Sequence, residues 1–356
     1  MILAGAALLA LAACNKSEVV TTEGPANQIA FKAISNPATK AGELNGTTID
    51  GKSYVIYASA SQYSANGVLE NGVFFNDQAF KDIAAPKWQH VTAESAAVAD
   101  PIYWPVGGAK MDFLAYALPI GKKSSIPAPT FNNTVAASDV TVTTWDTYAN
   151  QVDLLYAAAN AQTSAANGIA SDYVKMTFKH AQALLIFNVK VNAEVVNKLT
   201  VNKISFVEDP KAVSPAGTLV TTGTFKVDNS RNELKAAWTL SAAGSDYTMP
   251  SATISEKSEC NLATVSGVEN YGTALSKTAY AQLGETLLIP EQPRQNFTIN
   301  YTVGGNTMDY TYNIERGAWE MGKKYIYNLD INVNDEIIIT EVVKDFDPVE
   351  DTVTIQ

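Results

Sequence analysis

Histidine and cysteine are scarce in this chain of 356 residues, which contains two of each. A hydrolytic triad needs a histidine beside a nucleophile and a carboxylate, and a structural zinc site needs several cysteines and histidines. His90 and His180 are isolated in the sequence. Gly-x-Ser-x-Gly, Ser-x-x-Lys and His-Glu-x-x-His motifs are all missing. We therefore expect a non-enzymatic protein without cofactor or metal, in which both histidines have structural roles.

Positive charge is also in short supply. The chain has 25 Lys and Arg against 36 Asp and Glu, so its net charge is -11. Such a surface repels phosphate backbones, and we expect no nucleic-acid partner. Four acidic residues close together near the end could offer oxygen ligands, but they lack the glycine and residue order of a calcium loop. We interpret them as a solvated turn: Asp345, Asp347, Glu350 and Asp351.

Apolar residues, in contrast, are plentiful. They make up 46% of the chain, whereas charged residues make up 17%. This balance provides enough apolar material for a core and argues against disorder. The chain opens with an apolar run from Ile2 to Ala13. That run is too short for a transmembrane helix, which needs about 20 residues, but it suits the apolar region of a signal peptide.

The residues that end this run, Leu11-Ala12-Ala13-Cys14, resemble a bacterial lipobox. We predict a lipoprotein signal peptide over 1–13, lipid and palmitate attachment at Cys14, and a polar tether over 14–27. The alternative is an ordinary secretory signal with an incidental cysteine. If Cys14 carries lipid, Cys260 has no disulfide partner, so the core must supply the stability. We expect Cys260 to be buried.

Beyond the tether, apolar and polar residues alternate with a period of two. This pattern predicts strands with one buried and one solvated face. Two of the runs flank Gly304-Gly305-Asn306, which predicts a hairpin. We therefore predict an all-β protein of antiparallel β-sandwich architecture. The clearest runs are Phe187–Asn192, Phe297–Val303, Met308–Ile314 and Tyr325–Val333.

A low-complexity stretch rich in Ala, Ser, Asn and Gly covers Ala158–Asp172. We place a domain boundary there. The prediction is an N-terminal β-sandwich domain over 28–165 and a C-terminal β-sandwich domain over 173–356.

Six short blocks between about residues 100 and 330 resemble, in the expected order, the signature segments of fimbrillin-like proteins of the Bacteroidales. The blocks are Tyr103-Trp104-Pro105, Met111–Tyr116, Asp153–Ala157, Phe178–Ala181, Ile289–Gln292 and Trp319–Tyr327. The resemblance implies a pilin with two transthyretin-like antiparallel β-sandwich domains in tandem. It also implies a structural or adhesive subunit of a cell-surface fimbria (pilus), exported as a lipoprotein to the outer membrane.

The same resemblance implies assembly by proteolysis and strand exchange. A trypsin-like protease cuts after a basic residue, the first strand leaves, and a strand from another pilin subunit replaces it. Lys40 is the first candidate for the cut and Lys32 the second. The alternative for Lys40 is an ordinary solvated loop residue. An adhesive role further implies a host or bacterial surface receptor as a partner.

Two segments have the alternation that strand exchange requires. Around the start, Ile29, Phe31 and Ala33 share one apolar face, so this removable first strand can lie as an edge strand, and a central position in its sheet would favour the pilin interpretation most. Near the end, Ile337, Ile339 and Val343 form one face of a candidate donor strand. The alternative is that this segment is simply the last strand of its own domain, so that the protein accepts a strand without donating one.

A second functional hypothesis is a monomeric surface lipoprotein that binds glycan or host protein. Such a protein would need tryptophans exposed together on a concave surface. Because tryptophans on strands are usually buried, we expect the five of this chain to belong to the core: Trp88, Trp104, Trp145, Trp238 and Trp319.

Overall fold

A computed structural model describes the parts of the chain discussed from here on. They are residues 28–34, 54–63, 69–84, 87–92, 99–105, 110–125, 130–135, 137–146, 152–163, 173–191, 199–206, 220, 222–230, 233–240, 247–248, 280–303, 305–314, 317–331 and 337–345. The expected signal peptide and tether, with Cys14, Lys40 and Cys260, lie outside these residues. No helix in the described ranges is long and apolar enough to cross a membrane.

Twenty β-strands and one short 3-10 turn, Lys123–Ser125, make up the regular structure of the described residues, which confirms the all-β prediction. The strands of the first half are β1 Phe31–Ile34, β2 Tyr54–Tyr63, β3 Leu69–Ala84, β4 Lys87–Val91, β5 Lys110–Pro119, β6 Thr130–Val135, β7 Ala137–Asp146, β8 Leu155–Gln162, β9 Val174–Thr177 and β10 Lys179–His180. Those of the second half are β11 Ala183–Val191, β12 Leu199–Phe206, β13 Thr222–Ser230, β14 Glu233–Leu240, β15 Tyr247–Thr248, β16 Ala281–Leu288, β17 Phe297–Val303, β18 Asn306–Tyr312, β19 Lys323–Ile331 and β20 Ile337–Asp345.

The largest sheet has eight strands in the order β10-β8-β5-β2-β3-β4-β1-β9. Its two outermost strands, β9 and β10, are consecutive in the chain, with only Phe178 between them. Two peptide units span at most about 7.6 Å, whereas the edges of a flat eight-stranded sheet lie about 34 Å apart. The sheet must therefore curl until its edges come together, and β8 and β9 are indeed in contact.

Curling gives this sheet an inside and an outside, and both are apolar. The inside holds one core cluster, to which β1, β3, β4, β5 and β9 contribute. On the outside, Tyr57, Tyr116 and Tyr156 form a second cluster with Phe225 and Trp238. These last two residues belong to a four-stranded sheet of order β14-β13-β7-β6. The unbroken apolar run Phe113–Pro119 in β5 follows from this arrangement, because both faces of the strand are buried.

The remaining strands form two four-stranded sheets, β16-β11-β19-β20 and β15-β12-β17-β18. A third core cluster combines residues from both, including Phe187, Phe297 and Tyr327. The predicted hairpin is confirmed, since β17 and β18 pair antiparallel from Phe297↔Tyr312 to Val303↔Asn306.

Strand pairing crosses the expected boundary between domains. β9 and β10 lie in the eight-stranded sheet with β1 and β8, and β13 pairs with β7 over most of its length. Segments 174–180 and 222–240 therefore share sheets with the first half of the chain. The division into 28–165 and 173–356 stays a prediction. Most pairs are antiparallel as expected, but β1 with β9 and β11 with β19 run parallel.

Candidate functional site

The first strand lies inside the eight-stranded sheet and not at the edge position that its alternation also allowed. β1 runs parallel to β9 in four register pairs, from Phe31↔Val174 to Ile34↔Thr177, and antiparallel to β4 at Phe31↔Trp88. The edge position belongs to β9, because residues far along the chain return to cover the free side of β1. The alternation of apolar and polar residues identified the buried face of β1 but not the strands that pair with it.

Backbone contacts extend this pairing to the three residues before the strand, Gln28–Ala30. The Ile29 amide donates to the Ile102 carbonyl at 2.7 Å, and the Val174 amide donates to the Ala30 carbonyl at 2.8 Å. Gln28 forms a further antiparallel bridge with Tyr103. The segment is thus held from both sides over residues 28–31, and by β9 as far as Ile34.

The side chains of Ile29 and Phe31 are fully buried in the inner cluster. The Phe31 ring stands edge-on to Phe80, at 4.6 Å between centroids, and to Phe113, at 5.5 Å. Val174 and Met176 of β9 complete the surroundings. Burial of such side chains stabilises by about 1.5–3 kcal/mol each, so β1 is an integral part of this core.

The remaining predicted residues of this segment are defined by their backbone positions. Ala33 pairs with Met176, and Lys32 pairs with Lys175, both on β9. Lys32, the second candidate for cleavage, therefore lies in a strand that pairs with β9 at this residue and with β4 at Phe31. A protease that needs an extended, free backbone could reach it only after β1 had separated from both.

The predicted donor residues lie on β20, which is an edge strand paired antiparallel with β19. Ile337 is buried and Ile339 packs against the third core cluster, whereas Val343 is 47% exposed. On the opposite face, Ile338 is 48% exposed. In this structure the segment is the last described strand of its own sheet, and its role as a donor stays a prediction.

Polar contacts help to attach β20 to its sheet. Arg294 binds Glu341 of β20 at 2.6 Å, with both side chains mostly buried, and its guanidinium lies 4.6 Å from the centre of the Tyr325 ring. Lys323 pairs with Asp345 at the far end of the strand. Asp345 is the only member of the acidic run within the described residues, and no group of three metal-ligating side chains occurs among those residues.

Both histidines make hydrogen bonds of a structural kind. His180 is buried, and its Nδ1 lies 2.8 Å from Asp153, where β10 joins β8. His90 contacts the Asp100 carbonyl through Nδ1 and the Gln78 side chain through Nε2.

The tryptophans follow the core prediction where their side chains are described. Trp88 and Trp319 are fully buried, Trp238 is nearly so, and Trp104 is half-buried. A glycan-binding platform of exposed indoles is therefore not formed by these four residues.

Sequence reasoning missed the strands that flank β1. Val174 and Met176 alternate with exposed residues in β9, which is a visible strand signal. Their partner could not be predicted, because alternation carries no information about which distant strand pairs with which.

Comparison with known proteins matches this arrangement to one family. A sequence profile described as fimbrillin-like matches residues 70–345. A fimbrial protein from Bacteroides vulgatus has a similar fold, with a TM-score of 0.53 and 16% identity, and the match covers 90% of this chain and 99% of that one. A candidate cell adhesion protein from Bacteroides ovatus gives a TM-score of 0.52 at 16% identity, over 89% and 97% of the two chains. No curated protein matches.

Proposed function

This chain belongs to the fimbrillin-like family, and we propose that it is a structural or adhesive subunit of a cell-surface fimbria that assembles by strand exchange. The role is mechanical and adhesive rather than enzymatic. Its partners are other pilin subunits, a trypsin-like protease and, for an adhesive subunit, a receptor on a host or bacterial surface.

The position of β1 between β4 and β9 is the observation that carries this proposal. Removal of β1 would leave one unpaired edge on each of these strands, and it would expose the apolar surroundings of Phe31 to water. Unpaired strand edges and exposed apolar surface are both unfavourable. A strand from a second subunit would restore the ladder and the core together, by β-augmentation.

The free energies favour strand exchange when the groove left by β1 keeps its shape. Two large apolar side chains contribute about 1.5–3 kcal/mol each on burial, and each ladder hydrogen bond adds about 0.5–1.5 kcal/mol. Ordering the incoming strand costs roughly 1–2 kcal/mol per residue. Over a short strand, the gains from burial and hydrogen bonding nearly equal the cost of ordering. The receiving subunit must therefore keep its strands and core in place, so that no further ordering is needed when the new strand binds.

A cut after Lys40 fits this mechanism better than a cut after Lys32. Cleavage at Lys40 would release residues 28–34 as a whole, including Ile29 and Phe31. Cleavage at Lys32 would require β1 to leave its neighbours first, and it would keep Ala33 and Ile34 in place beside β9.

The C-terminal segment is the proposed donor. β20 carries apolar residues on both faces, since Ile337 and Ile339 face the core while Ile338, which is largely exposed, and Val342 lie on the opposite face. A strand with a second, uncovered apolar face is suited to insertion into a core from which another strand has been removed.

Export and anchoring complete the proposal. Signal peptide 1–13 would direct secretion, and lipid on Cys14 would hold the precursor at the outer membrane until it is processed. Replacement of Cys14 by serine should release the protein into the soluble fraction of cells. Unchanged membrane association of Cys14→Ser would count against the lipid anchor.

Limited trypsin digestion of the purified precursor tests strand exchange. We expect cleavage after Lys40, identified by mass spectrometry of the new N-terminus, followed by oligomers seen by light scattering. Lys40→Gln should block both steps, whereas the control Lys32→Gln should leave both unchanged. A chain that is cut at Lys40 and stays monomeric at high concentration would contradict polymerisation by this route.

A further inference from the structure

Trp88 of β4 lies directly across from Phe31 of β1 and has an exposed fraction of 0%. Its indole Nε1 carries a hydrogen that can only be donated. Within the described residues this atom is buried and has no hydrogen-bond partner. Buried donors without an acceptor are uncommon and destabilising.

Among the tryptophans whose side chains the structure describes, the other two buried ones have hydrogen-bond partners. Trp238 donates its Nε1 hydrogen to the Ala181 carbonyl, and Trp319 donates to the Tyr327 hydroxyl at 3.3 Å. Among these three described tryptophans, an unpartnered indole is therefore a feature of Trp88, which lies beside β1.

The first strand has little with which to satisfy this donor. Its side chains that face the inner cluster, Ile29 and Phe31, are hydrocarbon. From residue 29 to residue 34 the sequence has no hydroxyl or amide side chain. In the described part of the chain, the precursor's own strand thus lies across from Trp88 and offers its N–H no acceptor.

We propose that Trp88 is a specificity-determining residue for the incoming strand, and that it donates a hydrogen bond to a hydroxyl which β1 lacks. This rests on the proposed strand exchange. The partner is β20 of a second copy of this chain, with Thr340 facing Trp88.

The outward face of β20 has the required pattern. Ile338, Thr340 and Val342 alternate there, opposite the face that packs on the core. This order places apolar residues two positions on either side of Thr340, as Ile29 and Ala33 stand on either side of Phe31. A threonine hydroxyl accepts a hydrogen bond from an indole N–H. β20 of the second copy would therefore give the Trp88 indole N–H the acceptor that β1 does not provide.

A double-mutant cycle tests the contact. The probes are fluorescent peptides of residues 336–345, one with the natural sequence and one with Thr340→Val, which removes the hydroxyl oxygen and keeps the branched shape. Their affinities are measured by fluorescence anisotropy on the full chain after trypsin cleavage. The proteins are the natural chain, Trp88→Phe and, as a matched control, Trp319→Phe.

On the natural chain and on Trp319→Phe, the natural peptide should bind about fivefold more tightly than the Thr340→Val peptide. On Trp88→Phe the two peptides should bind equally. A fivefold preference that persists in Trp88→Phe, or no preference on the natural chain, would overturn this role for Trp88. Should Trp88→Phe fail to fold, hydrogen exchange of the Trp88 indole N–H in the natural chain decides: the natural peptide should slow it more than the Thr340→Val peptide does, and equal exchange with both peptides would overturn the contact. If neither peptide binds, strand exchange by β20 is overturned, and the proposed role of Trp88 is overturned with it.

Discussion

Phe31 of β1 and Phe80 of β3 meet edge to face, with ring centroids 4.6 Å apart and ring planes at 88°. Such aromatic pairs contribute about 0.5–1.5 kcal/mol beyond the burial of their surface. β1 does not pair with β3 through its backbone, since β4 lies between them in the sheet. The contact therefore fixes the first strand to the core through a side chain, in addition to its two ladders.

Replacement of Phe31 by alanine in the full chain should be strongly destabilising. The ring is fully buried between Phe80 and Phe113, and its removal leaves a cavity that costs about 3–5 kcal/mol of unfolding free energy. Equilibrium denaturation in urea measures the change. Phe74→Ala, at a more exposed phenylalanine of β3, is the matched control and should cost less than about 1 kcal/mol. Equal losses for the two variants would show that β1 is not part of the cooperative core.

Glu341→Gln should loosen β20. The Arg294–Glu341 pair is mostly buried, at 2.6 Å, and loss of the carboxylate leaves the guanidinium without its counter-charge. We expect a loss of roughly 1–3 kcal/mol and faster hydrogen exchange at the amides of β20. Asp345→Asn, which removes the exposed partner of Lys323, should change stability by less than about 1 kcal/mol. If exchange in β20 is the same in both variants, the buried pair does not hold the strand.

Stability should fall at alkaline pH because of buried tyrosines. Burial raises the pKa of Tyr156 to about 12, and it raises the pKa of Tyr54 well above the usual value, with the charge of Asp153 adding to the effect. The unfolded chain loses these protons near pH 10. The stabilisation is therefore complete below pH 10, and for Tyr156 it is lost as the pH rises through 10 to about 12.

Tyr156→Phe should remove part of this loss of stability at alkaline pH. A difference of about two pKa units corresponds to at most about 2–3 kcal/mol, measured as the change in unfolding free energy between pH 9 and 12. Phe225→Leu, which changes the packing against the Tyr156 ring without removing an ionisable group, is the control and should lower stability equally at pH 9 and pH 12. An unaltered slope in Tyr156→Phe would mean that the hydroxyl ionises as freely in the folded chain as in the unfolded one.

The contact between His180 and Asp153 should be structural. His180 is buried at the junction of β8 and β10, with Nδ1 2.8 Å from the Asp153 carboxylate. His180→Ala leaves this carboxylate without its partner and should lower the unfolding free energy by roughly 1–3 kcal/mol. His90→Ala, at a less buried histidine, should cost less than about 1 kcal/mol. Calorimetric melting of both variants provides the comparison, and a larger effect at His90 would refute the assignment.

Local patterns in the sequence predicted local structure well. The β17–β18 hairpin follows from two alternating runs that flank Gly304-Gly305-Asn306, and Gly305 has a φ of 86°, which glycine adopts without strain. The buried positions Phe297 and Ile299 were visible in the same alternation. Each of these features depends on residues close together in the chain.

Long-range pairing could not be predicted in this way. Alternation identified the buried face of β1, yet nothing in residues 28–34 indicates that Val174 and Trp88 become its neighbours. The pairing of β13 with β7 likewise joins segments that the sequence assigned to different domains. The unpartnered Nε1 of Trp88 has no sequence signal at all, because it depends on which side chains surround the indole after folding.

The single residue between β9 and β10 has a kinetic consequence for a processed subunit. Phe178 connects β9 to β10, which is paired with β8 on the far side of the curled sheet. After β1 departs, this short covalent connection would keep β9 from drifting away from β4 or collapsing onto it. The receiving subunit would then need no slow rearrangement before association, and the rate of polymer growth would be set by how often a donor arrives.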